Sequence, residues 1–450
     1  MRTPIRRERG AVLIMVALAM LVLLALVGLV VDGGLAYLVK ARLNAAVDSA
    51  ALAGARAIPE GTTKDEQAAA ARAAANDFFA ANIPDNYLLS SPKLLSTDVS
   101  FDTGRVTIDV RAEAPMLVSF MRVLGFTSLT PVAYAQTIRK DLDMAFVVDT
   151  SGSLYDNRTA VKASAKSFLN KFNVTQDRVG LIHFAYGADV DNPIDASKRG
   201  FDRNSMLSNI DSYVFDGSTA SVEGMWHARN QLNTIPQLSR SSLRVIVFFS
   251  DGEPTALGAQ LAFNTPSSCT RAGVFDISGN GLYDLGDTVG VTPMTSGCNL
   301  KPTRTSKIWE KVRQLPDWYN AHDNKKEFPI VTGTAYPGMR TVTAALTSDA
   351  LVQQNLDRAA RNLPEAIAAK ARDEGIYVFT LGMGASLKTK SGVDNEVGEN
   401  VLKCMANVAD GPSRCYNPDK PVGMYCYAAT DADLTPCFSR LASAILRISK

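Results

Sequence analysis

Three short polar motifs contain the residues whose types and spacing could bind a metal ion. The first is Asp149-Thr-Ser151-Gly-Ser153, the second is Thr219 within DGSTAS, and the third is Asp251 within FFSDGEPT. Carboxylate and hydroxyl oxygens are hard ligands of the kind that Mg²⁺ and Mn²⁺ prefer. The motifs therefore predict a divalent-metal site, provided that the fold brings them together.

The same side chains also allow a structural interpretation. Ser153 and Thr219 could cap helices, and Asp251 could accept a hydrogen bond within a turn. A D-x-S-x-S pattern is weak evidence by itself, because each of its residues is common. The sequence leaves both interpretations open at this point.

The secondary structure expected around the motifs would gather them at one edge of a sheet. Strands that are apolar throughout alternate with helices, a pattern typical of an α/β fold with a parallel sheet covered on both faces. Ligands of such folds bind at the carboxyl ends of the strands, where the three motifs fall. The predicted strands are 142–149, 178–185, 243–251, 375–384 and 424–429, and the predicted helices are 158–172, 203–213, 221–233, 357–373 and 434–448.

In this context the motifs resemble the metal-ion-dependent adhesion site of von Willebrand factor A (VWA) domains, DxSxS…T…D. The closing segment CYAATDADLTPCFSRLASAILRIS resembles the end of the same family. The resemblance implies a Rossmann-like domain that binds Mg²⁺ or Mn²⁺. It implies that Ser151 and Ser153 coordinate the ion, that Thr219 binds directly or through water, and that Asp149 and Asp251 accept hydrogen bonds from water and hydroxyls. In the family, an acidic side chain of a protein partner fills an open position on the ion.

An insertion is predicted at about 256–350, within a VWA domain spanning 140–450, where it would frame or partly cover the metal-binding edge. Part of it resembles the calcium loops of EF-hand and dockerin type. The alternative is an ordinary Gly/Asp turn, because no clear amphipathic helix flanks the run. The candidate Ca²⁺ ligands are Asp276, Ser278, Asn280, Leu282 through its carbonyl, Asp284 and Asp287.

The cysteines predict disulfides. Their even number and the absence of a CxxC pair favour disulfides in an oxidising compartment over a zinc or redox centre. Buried free thiols are the alternative, and the sequence leaves the pairing open. Cys269–Cys298 is the favoured pair, since both lie in the predicted insertion. The six are Cys269, Cys298, Cys404, Cys415, Cys426 and Cys437.

The N-terminal residues predict a single membrane anchor. Residues 11–31 read AVLIMVALAMLVLLALVGLVV, without a charge, which is enough to cross a hydrocarbon core of roughly 30 Å at about 1.5 Å per residue. Four arginines precede the run, so residues 1–10 are expected in the cytoplasm and the rest outside a bacterial inner (cell) membrane. The run is longer than a typical signal-peptide core of about 7–15 residues, and Met15 stands where prepilins carry glutamate.

Residues 32–139 are predicted to form a stalk. Helices are expected at 33–57 and 64–82, a hairpin at 98–111 and a further strand near 131–138. The run VDGGLAYLVKARLNAAVDSAALAGARA, joined to the anchor, resembles the N-terminal region of TadG-like proteins of the Tad/Flp pilus-assembly system. The resemblance implies association with pilus-assembly machinery in the envelope.

Several functional classes are disfavoured by composition and motifs. The net charge is only +2 and the basic residues are scattered, which argues against nucleic-acid binding. The sequence has no P-loop, GxSxG or HExxH motif, which argues against an enzyme. The prediction is a membrane-anchored head that binds a divalent metal and, through it, a protein partner. A structural envelope or stalk protein with a metal-free head is the alternative.

Overall fold

The chain folds into two compact units that divide between Arg139 and Lys140. The computed structural model describes residues 9–58, 63–102, 105–264, 269–279, 282–290, 307–336 and 338–448.

The N-terminal unit combines two helices with a three-stranded sheet. The sheet order is β1-β2-β5, and β1 and β2 are antiparallel. α2 begins with a capping box, in which Thr63 and Glu66 each bond the other's backbone N–H. The elements are α1 (Arg9–Ala57), α2 (Lys64–Asn82), β1 (Lys93–Asp102), β2 (Arg105–Glu113), β3 (Met116–Leu117), β4 (Ser128–Leu129) and β5 (Val132–Lys140).

The predicted anchor and the predicted juxtamembrane helix form one continuous helix, α1. Its first half carries exposed apolar side chains, such as Leu13 at 74% and Leu29 at 58% exposure. Beyond Asp32 one face becomes buried, and Val39, Leu43 and Val47 pack against α2 and the sheet. By length and composition α1 can cross a membrane, and its exposed half is what such a span would present to lipid.

The C-terminal unit is built around a six-stranded sheet of order β15-β12-β9-β6-β7-β8. Every neighbouring pair is parallel except β7 with β8. The predicted fold class, an α/β domain with a parallel-dominated sheet, is therefore confirmed. The elements are β6 (Leu142–Asp149), α3 (Arg158–Leu169), β7 (Arg178–Phe184), β8 (Ala188–Asn192), α4 (Arg203–Ser212), α5 (Ser221–Thr234), β9 (Leu243–Ser250), β10 (Ala256–Ala262), β11 (Thr270–Asp276), α6 (Asp349–Asp373), β12 (Ile376–Met383), β13 (Lys390–Ser391), β14 (Glu396–Val397), α7 (Glu399–Ala406), β15 (Met424–Ala428) and α8 (Asp431–Ile448).

The sheet separates two hydrophobic layers, as the alternation of side chains along a strand requires. Phe146 of β6 faces a layer with α3 and α8, where it contacts the rings of Phe168 and Phe438. Val147, its neighbour, faces the opposite layer, which α5 and α6 cover. Both faces of β6 are thus buried, which explains why its sequence is mainly apolar.

The insertion is part of the core of this unit. β10 and β11 form an antiparallel hairpin. Leu257 and Phe275 of the hairpin, and Tyr319 and Ile330 further on, are buried in the layer that contains α5 and α6. The insertion therefore contributes to the stability of the domain as well as to its surface.

Two disulfides lie near the C-terminus. Cys404 of α7 bonds Cys415, and Cys426 of β15 bonds Cys437 of α8. The second bond joins the last strand to the last helix. Cys269 is disulfide-bonded as well, but its expected partner, Cys298, lies outside the described residues, so that pairing stays a prediction.

Candidate metal centre

The sheet register places the first and third motifs side by side. β6 and β9 are parallel neighbours, with Val148 opposite Phe249. Asp149 ends β6, while Ser250 ends β9 and is followed by Asp251. Both aspartates therefore leave the sheet at its carboxyl edge, where parallel α/β folds bind ligands.

A chain of hydrogen bonds connects the two aspartates through the serines of the first motif. Asp149 Oδ1 accepts a bond from the backbone N–H of Ser151, at 2.8 Å. The hydroxyl oxygens of Ser151 and Ser153 lie 3.2 Å apart, and Ser153 Oγ donates to Asp251 Oδ1 at 3.0 Å. Four of the five predicted ligand residues thus form one contiguous group of oxygen atoms.

Thr219, the fifth residue, reaches the same place from the loop before α5. A Cβ atom built on Gly252 would lie 3.5 Å from Thr219 Oγ1 and 4.0 Å from Ser153 Oγ. The backbone N–H of Gly152 also donates to the carbonyl of Gly217, at 3.0 Å, which joins the first loop to the second. The absent side chain of Gly252 leaves a small cradle between the two hydroxyls.

The helix caps contradict the structural interpretation of the two hydroxyls. Asn157 is the N-cap residue of α3, and Ala220 is the N-cap residue of α5. Ser153 instead donates its hydroxyl to Asp251 across the site. The capping alternative is therefore wrong for both Ser153 and Thr219.

Both carboxylates are buried close to each other, with hydroxyl and backbone donors as their bonded partners. Burial raises the pKa of Asp149 to about 6. Burial, with the nearby charge of Asp149, raises the pKa of Asp251 to about 8. Two anions in such a place repel each other and are poorly solvated. A bound divalent cation would relieve both effects.

The arrangement fits a small hard cation. Its oxygens come from carboxylates and hydroxyls, which Mg²⁺ and Mn²⁺ prefer. Asp149, Ser151 and Thr219 are buried, whereas Ser153 is exposed and opens the cradle to solvent. A ligand from outside could therefore approach from the side of Ser153.

The sequence interpretation did not include two side chains that hold this site in place. Ser250 donates its hydroxyl to Asp149 Oδ2 at 2.5 Å. Thr255 Oγ1 accepts a bond from the backbone N–H of Thr219, and the Thr255 N–H donates back to the Thr219 carbonyl, both at 2.9 Å. The signal for Ser250 was its position, directly before Asp251 at the end of a buried strand.

The candidate calcium loop has carboxylates with separate partners. Asp276 accepts bonds from Ser218 and from the backbone N–H of Ser278. Asp284 pairs with Arg271 at 3.4 Å, and Asp287 Oδ1 accepts two backbone N–H groups. Asn280 lies outside the described residues. Calcium binding here stays a prediction. The guanidinium of Arg271, which pairs with Asp284, would compete with a calcium ion for that carboxylate.

Two regions of the chain match known families. Residues 143–281 match the von Willebrand factor type A domain, and residues 10–57 match the Flp pilus-assembly TadE/G-like family. No curated protein matches the chain significantly in sequence.

Solved structures similar to this chain include three pilus proteins. The vWF domain of the type V pili tip protein Mfa5 from Porphyromonas gingivalis is 17% identical, with a TM-score of 0.39, over 70% of this chain and 98% of its own. The PilB minor pilin from Streptococcus sanguinis is 13% identical, with a TM-score of 0.38, over 80% and 79%. The pilus adhesin SpaC from Lactobacillus rhamnosus GG is 13% identical, with a TM-score of 0.38, over 81% and 35%. Identities and TM-scores this low assign neither a ligand nor a partner.

Proposed function

We propose that this chain, which combines a TadE/G-like N-terminal region with a VWA domain, is a single-pass protein of the bacterial cell membrane that binds protein partners through a metal ion. Its head binds Mg²⁺ or Mn²⁺ and serves pilus assembly or adhesion. The observation that carries the proposal is the convergence of Asp149, Ser151, Ser153, Thr219 and Asp251 at one edge of the sheet. It is a binding function and involves no catalysis.

Each residue of the site has a distinct task in this proposal. Ser151 and Ser153 supply hydroxyl ligands, and Thr219 binds directly or through water. Asp149 and Asp251 accept hydrogen bonds from those hydroxyls and from water rather than binding the ion directly, which leaves the ion with much of its charge. When bound, the ion supplies an electrophilic position that an acidic side chain of the partner can fill.

The N-terminal helix and the disulfides agree with an extracytoplasmic head. The arginines before residue 11 would remain in the cytoplasm, and the exposed apolar half of α1 would cross the membrane. Two disulfides in the head suit an oxidising compartment.

The direct test is calorimetric titration of the protein with Mg²⁺ and Mn²⁺. We expect saturable binding to the wild type, and its loss in a Ser151→Ala/Ser153→Ala variant, since both hydroxyl ligands are removed. Ser212→Ala, at the end of α4, is the matched control and should bind as the wild type does. A folded wild type that binds neither ion would favour the alternative, a structural protein with a metal-free head.

Gly252 offers a second test of the same site. Gly252→Ala should bind Mg²⁺ nearly as the wild type does, because its Cβ would meet Thr219 and Ser153 at ordinary contact distances. Gly252→Val should bind at least about tenfold more weakly, as branched carbons fill the cradle, while its thermal stability changes by no more than about 1 kcal/mol. Equal affinities of the two variants in titration would place the ion elsewhere.

A further inference from the structure

A short hairpin in the N-terminal unit carries exposed apolar side chains at its tip. β3 and β4 pair antiparallel, with Met116 opposite Leu129. Within this hairpin, residues 116–129, the exposed fractions are 69% for Leu117, 41% for Phe120 and 50% for Phe126. Exposed aromatic and aliphatic side chains grouped on one tip mark a surface that is covered by something apolar.

The tip lies beside the apolar half of α1. A Cβ atom built on Gly28 would lie 3.0 Å from Phe120 Cβ and 3.1 Å from the backbone nitrogen of Met121. Gly28 is three residues before Val31, the end of the uncharged run, or roughly 4.5 Å along the helix. The tip is therefore level with the last turn of the segment proposed to cross the membrane.

The three-stranded sheet contacts a different part of α1. Gly54 of α1 lies beside Ile108 of β2, whose Cγ2 would be 3.4 Å from a Cβ on Gly54. Gly28 and Gly54 are separated by roughly 39 Å along the helix, at about 1.5 Å per residue. The hairpin is thus at the membrane end of the unit, and Ile108 is far from it.

The backbone of the tip is suited to an apolar environment, where unpaired N–H groups are costly. The Asp32 carboxylate accepts the N–H groups of Ser119, Phe120 and Met121, at 3.2, 2.9 and 2.8 Å. Within the hairpin, the N–H of Phe126 bonds the Met121 carbonyl at 3.3 Å. Asp32, the first charge after the apolar run, thereby satisfies three donors of the tip.

We propose that the hairpin 116–129 inserts its tip into the outer interface of the lipid bilayer and is a second membrane contact beside α1. Leu117, Phe120 and Phe126 enter the boundary between headgroups and acyl chains, where the Phe and Leu side chains of interfacial segments are buried. The exposed Arg122 lies at the height of the lipid phosphates. The inference rests on the proposed anchorage through α1, because the level of the tip is defined by that helix.

The test is depth-dependent fluorescence quenching on the full-length protein in lipid nanodiscs. Four single substitutions are labelled with the same environment-sensitive dye: Leu117→Cys, Phe126→Cys, Leu21→Cys within the anchor and Ser100→Cys near the distal end of β1. Each is measured in phosphatidylcholine discs that contain lipids with a nitroxide quencher at a shallow or a deep acyl position. Mild non-reducing labelling leaves the native disulfides intact.

We expect the dyes at positions 117 and 126 to be blue-shifted and quenched several-fold by the shallow lipid. The dye at position 21 should be quenched most by the deep lipid, and the dye at position 100 should be quenched by neither. Quenching at position 21 without quenching at 117 and 126 would overturn the hairpin contact and leave the anchor standing. A dye at 117 or 126 that is blue-shifted but insensitive to both lipids would show that a protein covers the tip instead. Absence of quenching at position 21 would overturn the anchorage and the hairpin contact together.

Discussion

Asp149→Asn is expected to bind Mg²⁺ at least about a hundredfold more weakly than the wild type. In metal-free buffer, the variant is expected to be more stable than the wild type. Asparagine can keep the bond from the Ser151 N–H, and its amide can donate to Ser250 Oγ, whose own proton can turn to the Gly252 carbonyl. The substitution removes one of two neighbouring buried negative charges. The proposed function requires the loss of Mg²⁺ binding, and the gain in stability is expected because two buried carboxylates repel each other when no cation lies between them.

The direction of the expected stability change follows from the direction of the pKa shifts. Burial raises the pKa of Asp149 to about 6, and burial with the charge of Asp149 raises that of Asp251 to about 8. The folded metal-free protein therefore binds protons more tightly than the unfolded chain and loses stability as the pH rises from about 4 to about 8. At pH 8 the variant should gain on the order of 1–3 kcal/mol, at about 1.4 kcal/mol per pKa unit.

Thermal unfolding at pH 8 with and without Mg²⁺ measures both effects. A hundredfold excess over the dissociation constant should stabilise the wild type by about 2.7 kcal/mol and leave the variant unchanged. Asp143→Asn is the matched control, as Asp143 is a buried aspartate at the other end of β6 that pairs with Arg178. The Asp143→Asn variant should lose on the order of 3 kcal/mol of folding stability and should still be stabilised by Mg²⁺. An Asp149→Asn protein that keeps the wild-type response to Mg²⁺ would refute a cation site at Asp149, whereas a metal-free variant as unstable as Asp143→Asn would refute only the expected relief of repulsion.

The main sheet was predictable from the sequence because its strands are buried on both faces. β6 and β9 are mainly apolar runs, with one charge each near their starts, that end at an aspartate or just before one, and the structure bounds them within one residue of the prediction. The antiparallel edge strand β8 was missed, since ADVDN carries the polar residues that an edge strand tolerates. The helix α7 was missed too, because its eight residues are too few for a clear helical period.

The convergence of the candidate metal-binding residues was predictable for a different reason. Each stands directly at a strand end or helix start, so the parallel topology alone brings them to one edge. The supporting contacts were not predictable, because they join distant segments that no local pattern relates. Thr219 precedes β9 in the chain and Thr255 follows it, and the bonds between them depend on the path of the chain after Asp251.

The predicted insertion makes buried polar contacts with α5. That it frames or partly covers the metal site stays a prediction, but its first residues, Ala256 and Gly258, donate backbone N–H groups to Thr219 and Glu223. Glu223 lies in the first turn of α5 and is fully buried. Its Oε1 accepts the N–H of Gly258 at 3.2 Å and the hydroxyl of Tyr319 at 2.8 Å, and Oε2 lies 2.6 Å from His322 Nε2. One carboxylate thus joins α5 to two parts of the insertion.

Glu223→Ala is expected to destabilise the head by about 3–5 kcal/mol. Burial, with the charge of Glu223, raises the pKa of Tyr319 well above its usual value, so the phenol stays a donor that needs an acceptor. Without Glu223, the Tyr319 hydroxyl and the Gly258 N–H are buried without this acceptor, at about 1–3 kcal/mol each, and a void is added. Denaturant unfolding of the metal-free protein measures the loss.

Glu223→Gln and Glu310→Ala separate this role from a general effect of charge. Glutamine at position 223 keeps an oxygen for Tyr319 and Gly258, so this variant should lose less than half as much stability as the alanine variant. Glu310 is exposed in the insertion, and its replacement by alanine should change stability by no more than about 0.5 kcal/mol. Because Thr219 lies just before α5, the alanine variant should also bind Mg²⁺ several-fold more weakly at a temperature where it is folded. Wild-type stability in Glu223→Ala would mean that the insertion is held by its apolar contacts alone. A stability loss without a change in Mg²⁺ affinity would mean that the Thr255 bonds are enough to position Thr219.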